Sequence, residues 1–272
     1  MKIIKLFVVY TVVLVAFIEI GLRIYDPWGF EYFTEAAKYK HYLIIADSLT
    51  FYRHRINTHA KFMGVDIQTD DIGAVSKHGT KSPDLMVLGD SMVLSWGVPY
   101  DSSYMALIGT DLAFGVGSWN TKNEVDWFVK SKIIPKTLIW MIVPNDVVPK
   151  TSFEPCWEPK CFFYRNSLLI AVKQYIRKDL HEHDNFLHDA EWQNAVRYMT
   201  AFCNYHRINL VPCFYWYDNS AIFRTYRMIL AEGGYTLRRF PDPIYPNCFS
   251  KMDKHPNAKG HRMIADYLKN IL

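Results

Sequence analysis

Three short segments of this 272-residue sequence carry side chains that could act together in nucleophilic chemistry. The apolar run Leu85-Met-Val-Leu88 leads into Gly89-Asp90-Ser91, and the run Thr137–Val143 leads into Pro144-Asn145-Asp146. Near the C-terminus, Asp253-Lys254-His255-Pro256-Asn257 precedes a final helical stretch that holds Gly260 and His261. A serine hydroxyl attacks a carbonyl only when a base takes its proton. An imidazole does this best when a carboxylate fixes its tautomer. Ser91, His255 and Asp253 offer those roles. The Asp-x-His spacing works in a loop, where the carboxylate folds back to Nδ1, and Pro256 pushes His255 out of the helical region. Asn145, at a strand end, could aim its NH₂ at a developing oxyanion. Backbone N–H groups of Ser91 and of the turn Gly115-Val-Gly117-Ser118 could add further donors.

Each segment alone has an ordinary explanation. Gly-Asp-Ser after a strand makes an Asx or Ser turn, Asn-Asp caps a helix, and a histidine near a helix start is commonly solvated. Order and placement give the set its meaning, because each segment follows an apolar strand or fills the last loop. After Pro83, short apolar runs alternate with helical periodicity, the pattern of a parallel sheet covered on both faces. Strands are expected at Leu85–Leu88, Leu112–Val116, Thr137–Val143, Asn209–Tyr215 and Tyr235–Leu237. Helices are expected at Glu124–Ser131, Ser167–Leu180, Ala190–His206, Ala221–Ala231 and Ala258–Leu272. The fold class is therefore α/β, three layers around a central parallel sheet of about five strands. Open sheets of this kind bind ligands at the carboxyl ends of their strands, where Ser91 and Asn145 fall.

On these residues the chain resembles the SGNH/GDSL hydrolases, over about residues 84–272. Gly89-Asp90-Ser91 matches that family's nucleophile block, Asn145-Asp146 its third block, and Asp253-Lys-His255-Pro-Asn-Ala-Lys-Gly-His261 its last block in an Asp-x-His variant. Two departures stand out. Val143 stands where many members have Gly, and in the second block Ser118 takes the usual glycine position, with Gly117 one residue earlier. The resemblance implies a flavodoxin-like SGNH fold, catalytic Ser91, Asp253 and His255, and an oxyanion hole from Ser91, Gly117, Ser118 and Asn145. It implies hydrolysis of an acyl ester, with an acylated glycan or lipid as substrate and no metal or organic cofactor. Two alternatives stay open. One is O-acyl transfer to a cell-envelope polysaccharide, since members of the alginate O-acetyltransferase type also combine Gly-Asp-Ser with Asp-x-His. The other is an inactive, membrane-anchored glycan-binding or assembly protein that keeps the fold.

The remaining sequence bounds these readings. Leu6–Ile18 is unbroken apolar sequence, extended by Ile3 and Ile4 and by Ile20–Leu22, with Lys2 and Lys5 before it. No small-x-small cleavage pattern follows, so an uncleaved anchor through residues 3–22 is favoured over a cleaved signal or a core helix. Positive charge before the run puts the body outside the cytoplasm. The expected organisation is an anchor at 1–23, a connector with a small β-rich extension at 24–82, and the α/β domain at 83–272. A net charge of +4 with scattered Lys and Arg gives no phosphate-tracking stripe and argues against nucleic-acid binding. Cys156 and Cys161 bracket a loop that a disulfide could close, while Cys203, Cys213 and Cys248 read as small buried residues. His181-Glu-His183 with His188 reads as a solvated linker rather than a metal cluster. Oligomeric state is not encoded in any of these features.

Overall fold

The apolar N-terminus forms one helix, α1 (Lys2–Tyr25). The structure, a computed structural model, describes residues 2–25, 31–75, 82–149, 186–215, 221–240, 246–250 and 253–272. The expected helix at Ser167–Leu180, the Cys156–Cys161 loop and His181-Glu-His183 lie outside the described residues. Within α1, Ile3–Leu22 spans 20 residues with a mean hydropathy of 2.5 and none of it buried. At 1.5 Å per residue that is about 30 Å, the thickness of a bilayer's hydrocarbon core.

The segment before the α/β domain holds a helix as well as strands. Tyr32, Ala36, Tyr39 and Leu43 recur at helical spacing and face inward along α2 (Glu31–Leu43). Two antiparallel hairpins follow, β1 (Ile44–Asp47) with β2 (Phe51–His54) and β3 (His59–Phe62) with β4 (Val65–Gln68). Asp70 closes the expected turn after β4, its Oδ1 accepting from Ile72 and Ala74 N–H at 3.0 and 2.8 Å. The Val75 N–H then donates to Ala113 O at 3.2 Å, which ties this segment to the edge of the main sheet.

That sheet comprises β5 (Leu85–Gly89), β6 (Leu112–Gly115), β7 (Thr137–Ile142), β8 (Asn209–Phe214) and β9 (Arg238–Arg239). All neighbours are parallel, in spatial order β6-β5-β7-β8-β9. The strand order turns back between β5 and β7, which creates a crevice at their carboxyl ends. Short α3 (Tyr104–Leu107) joins β5 to β6, and α4 (Thr121–Ser131) joins β6 to β7. α5 (Ala190–His206), α6 (Ala221–Glu232) and α7 (Ala258–Lys269) complete the described helices. α5 packs on both α4 and α6, while α3 packs on α7. Right-handed crossovers put these two groups on opposite faces, because the chain moves one way from β5 to β6 and the other way thereafter. Residues of β5, β6 and β7 are accordingly buried on both sides.

Two elements start away from their expected positions, for local reasons. α4 begins at Thr121 because Asn120 and Asn123 form a reciprocal cap, the Asn120 side chain accepting from Asn123 N–H at 2.9 Å. The last strand is not Tyr235–Leu237 but Arg238–Arg239. The Tyr235 N–H bonds back to Leu230 O at 2.9 Å, so that residue still belongs to the turn ending α6, and pairing with β8 starts at Arg238.

Candidate active site

Ser91 sits directly beyond β5 and Asn145 directly beyond β7, on either side of the crevice between these two strands. The pairing of Gly89 with Gly115 lets the Gly89–Ser91 turn lie close to β6. A Cβ on Gly115 would come within 2.5 Å of Asp90 O and 2.4 Å of Val93 Cβ. Asp90 shapes the turn from inside. Its Oδ1 accepts from Met92 N–H at 2.9 Å and its carbonyl from Val93 N–H at 3.1 Å. Burial pushes the Asp90 carboxyl up, while hydrogen bonds from Met92 and Ser91 and the charge of His255 pull it back.

The C-terminal loop brings His255 to this turn. Asn257 caps α7 through Lys259 and Gly260 N–H, and its NH₂ donates to Pro246 and Cys248 carbonyls at 2.7 and 3.0 Å. His255 O accepts from Phe249 N–H at 3.2 Å, and the Phe249 ring covers Gly97, where a Cβ would meet it at 2.6 Å. The result is a continuous relay. His255 Nδ1 lies 2.7 Å from Asp253 Oδ1, and His255 Nε2 lies 2.8 Å from Ser91 Oγ. The carboxylate can only accept, so Nδ1 carries the ring proton and Nε2 is left to accept from the serine. Ser91 Oγ also lies 3.2 Å from Asp90 Oδ2, a second and longer acceptor. The hydroxyl therefore keeps a partner when the imidazole is protonated.

Asp253 is almost fully buried, at 2% exposure. Trp96 Nε1–H donates to its Oδ2 at 3.2 Å and His255 N–H to its Oδ1 at 3.1 Å. Trp96 and Tyr32 flank the imidazole, each with its ring centre 5.7 Å from that of His255. Burial and the nearby Asp253 and Asp90 charges hold the Tyr32 hydroxyl well above its usual range, so it stays protonated. The sequence reading singled out none of these aromatic partners. For Tyr32 and Tyr39 the helical spacing with Ala36 and Leu43 was a usable signal; Trp96, in a turn, offered none.

A pocket of about 370 Å³ opens over the serine, lined by Tyr32, Ser91, Ser118, Asn145, Lys254 and His255 among others. The expected oxyanion residues are distributed unevenly around it. Ser91, Ser118 and Asn145 line the pocket; Gly117 does not, and its N–H donates to the Tyr39 hydroxyl at 2.7 Å. The Trp119 N–H closes the 116–119 turn on Val116 O at 3.0 Å, with Ser118 at φ +68°. That is the hand of a type II turn, whose third residue is normally glycine. A serine held there costs about 1 kcal/mol.

His261, the other histidine of the C-terminal block, has a packing role. It is 1% exposed, stacks on Tyr104, and accepts from Tyr104 N–H through Nδ1 at 3.0 Å. Burial lowers it to about 3, so it is neutral. Among the described residues no group of His, Cys, Asp and Glu could hold a metal ion. Cys203, Cys213 and Cys248 are buried and unpaired.

Chemically, the arrangement pairs a hydroxyl with a tautomer-fixed base beside a pocket that carries an amide side chain and a tight turn. No protein-family model matches the chain, and no curated protein matches it in sequence.

Proposed function

We propose that this chain is a serine-nucleophile acyl-ester hydrolase of the SGNH/GDSL type, working outside the cytoplasm on a tether formed by α1. One observation carries the reading: His255 Nε2 stands 2.8 Å from Ser91 Oγ while its Nδ1 stands 2.7 Å from Asp253. A histidine that merely packs or caps has no reason to bridge a buried carboxylate and a serine 164 residues away.

In the reaction, Ser91 Oγ attacks the ester carbonyl as its proton passes to His255 Nε2. Asp253, held by Trp96, stabilises the imidazolium. The Ser118 N–H, the Asn145 NH₂ and the Ser91 N–H, which Asp90 shares, meet the oxyanion. Collapse of the tetrahedral intermediate returns the proton to the leaving alkoxide and leaves an acyl-serine. Water, deprotonated by His255, then releases the acid. A sugar hydroxyl in place of water would give O-acyl transfer from the same acyl-serine, and acylated glycans or lipids are the substrate classes proposed. Lys2 and Lys5, at the start of α1 ahead of the apolar run Leu6–Ile18, support a cytoplasmic N-terminus with the domain beyond the membrane.

A fluorophosphonate probe tests the assignment. Wild-type protein should be labelled on a single serine and Ser91→Ala should not be labelled at all; undiminished labelling of that variant would refute the nucleophile.

A further inference from the structure

A very short stretch of chain joins the wall of the active-site pocket to the apolar helix. α1 ends at Tyr25 and α2 begins at Glu31, so only residues 26–30 separate them. Tyr32, the second residue of α2, already lines the pocket. Its ring centre lies 5.7 Å from that of His255 and 5.9 Å from that of Trp96. The rest of α2 is bonded into the body behind the pocket, so it cannot swing away. Glu35 Oε2 accepts from Met63 N–H at 2.8 Å. The Tyr39 hydroxyl accepts from Gly117 N–H at 2.7 Å and stands 2.8 Å from His54 Nε2. Tyr39 and Leu43 are buried in the core. The chain that leads to α1 therefore leaves the body beside the pocket.

Covalent geometry turns this connection into a distance, whatever conformation residues 26–30 adopt. The steps from Tyr25 to Glu31 reach at most about 22 Å. Adding the helical rise after Leu22 and the step to Tyr32 puts the Tyr32 backbone within about 30 Å of the end of the apolar span. With α1 across a bilayer, the headgroup layer fills about 5–8 Å of that length. The pocket wall then stands within about 25 Å of the membrane surface. A domain the size of 83–272 has a radius of gyration of about 16 Å and is about 40 Å across. The pocket is thus kept off the face remote from the membrane. We propose that the substrate is an acyl ester carried by a lipid of the bilayer that α1 spans. Ser91 Oγ takes the acyl group, the lipid alcohol leaves with the proton that His255 returns, and water releases the acid. So short a tether gives the serine a high effective concentration toward esters in that one surface, an advantage that a freely diffusing ester does not gain. This inference rests on the proposed hydrolase and anchor readings and names the substrate class.

Lengthening the tether separates a lipid-borne substrate from a soluble one. Effective concentration falls roughly as the −3/2 power of tether length, so twenty Gly/Ser residues inserted after Pro27, a fivefold longer link, lower it about tenfold. The full chain is reconstituted in phosphatidylcholine vesicles as wild type, Ser91→Ala and the insertion variant. Acetate release from dioleoyl-acetyl-glycerol in the same vesicles is compared with turnover of p-nitrophenyl acetate in the surrounding water. The readout is the ratio of the two kcat/KM values, in which any loss of folded protein cancels. The insertion should lower this ratio about tenfold, through the lipid ester alone. A ratio within about twofold of wild type, or a wild type that cleaves only the soluble ester, overturns the lipid-borne substrate alone. Wild-type protein that fails to float with the vesicles overturns the anchor reading and this proposal with it. Wild-type turnover of p-nitrophenyl acetate no higher than that of Ser91→Ala overturns the hydrolase reading and the proposal together.

Discussion

Replacing Gly115 by alanine should lower kcat about 100-fold while leaving the chain folded. The added Cβ would stand 2.5 Å from the Asp90 carbonyl oxygen, 2.4 Å from Val93 Cβ and 3.1 Å from Val93 C, where ordinary contact begins at 3.4 Å. The nucleophile turn must therefore retreat by about 0.9 Å from β6. The obstructing atoms are backbone and a β-branched side chain, so no long side chain can swing aside to absorb the overlap. Ser91 follows Asp90 directly, and its Oγ sits 2.8 Å from His255 Nε2, so a shift of that size breaks the contact on which the proposed nucleophile depends. A displacement of about 1 Å is enough to cost roughly 10² in rate. Overpacking at such a site costs about 1–3 kcal/mol of stability, less than the roughly 5–15 kcal/mol that holds a typical domain. The assay is steady-state turnover of p-nitrophenyl acetate together with the rate of fluorophosphonate labelling, on protein whose melting transition remains cooperative. A folded Gly115→Ala protein with kcat within threefold of wild type would refute the claim that this glycine pair places the serine.

Two further outcomes follow from the same geometry. Asn145→Ala should reduce kcat by about 10²–10³ if its NH₂ meets the oxyanion, measured as kcat at saturating ester with KM nearly unchanged; a near-normal rate would reduce it to a turn residue. Acid should destabilise the fold through two buried histidines, because burial lowers His54 to about 4 and His261 to about 3. The unfolded chain takes up protons on them below about 6.5 that the native state refuses, so stability is whole above that pH and falls as pH drops toward the native values. At pH 5 each histidine should remove about 2 kcal/mol. Urea midpoints between pH 7.5 and 5 should show this slope, and His261→Phe should flatten it by about half; an unchanged slope in that variant would count against the buried neutral ring.

The parts of this fold legible in sequence are those where one physical signal dominates. β5, β7 and β8 read as continuous apolar runs because both faces of each strand are covered, and no competing pattern obscures them. α5 begins and ends as expected because Asp189 caps it and Arg207 leaves it in the left-handed region. The last strand starts three residues later than its apolar pattern suggests because its first candidates are held by a helix-terminating turn, a hydrogen-bond pattern that hydropathy does not record. α2 went unread although Tyr32, Ala36, Tyr39 and Leu43 keep helical spacing, since charged and polar residues lower the apolar average of the whole segment. At the candidate site, the residue types that bear chemistry were visible as Gly-Asp-Ser, Asn-Asp and Asp-x-His. Their supports were not. Trp96, Tyr32, Tyr39 and His54 are ordinary packing residues by type, and only the fold brings them to the site.

That division has a physical cause. The sheet fixes Ser91 and Asn145, because both follow directly from paired strands. The base and the 116–119 turn sit in coil, which has no ladder to hold it, so their precision has to come from side chains that bond to backbone or carboxylate. Asn257 and Phe249 hold the His255 loop, Trp96 holds Asp253, and Tyr39 and Tyr52 hold the turn. Each of these contacts reaches the site from a segment distant in sequence, so each is sensitive to packing well away from the serine. A substitution that disturbs α2 or the β1–β2 hairpin is therefore transmitted to the oxyanion side of the pocket, whereas one at the Phe249–Gly97 contact is transmitted to the base. On the proposed reaction the two classes separate kinetically: the first impairs oxyanion stabilisation while the serine remains activated, and the second removes the activation itself.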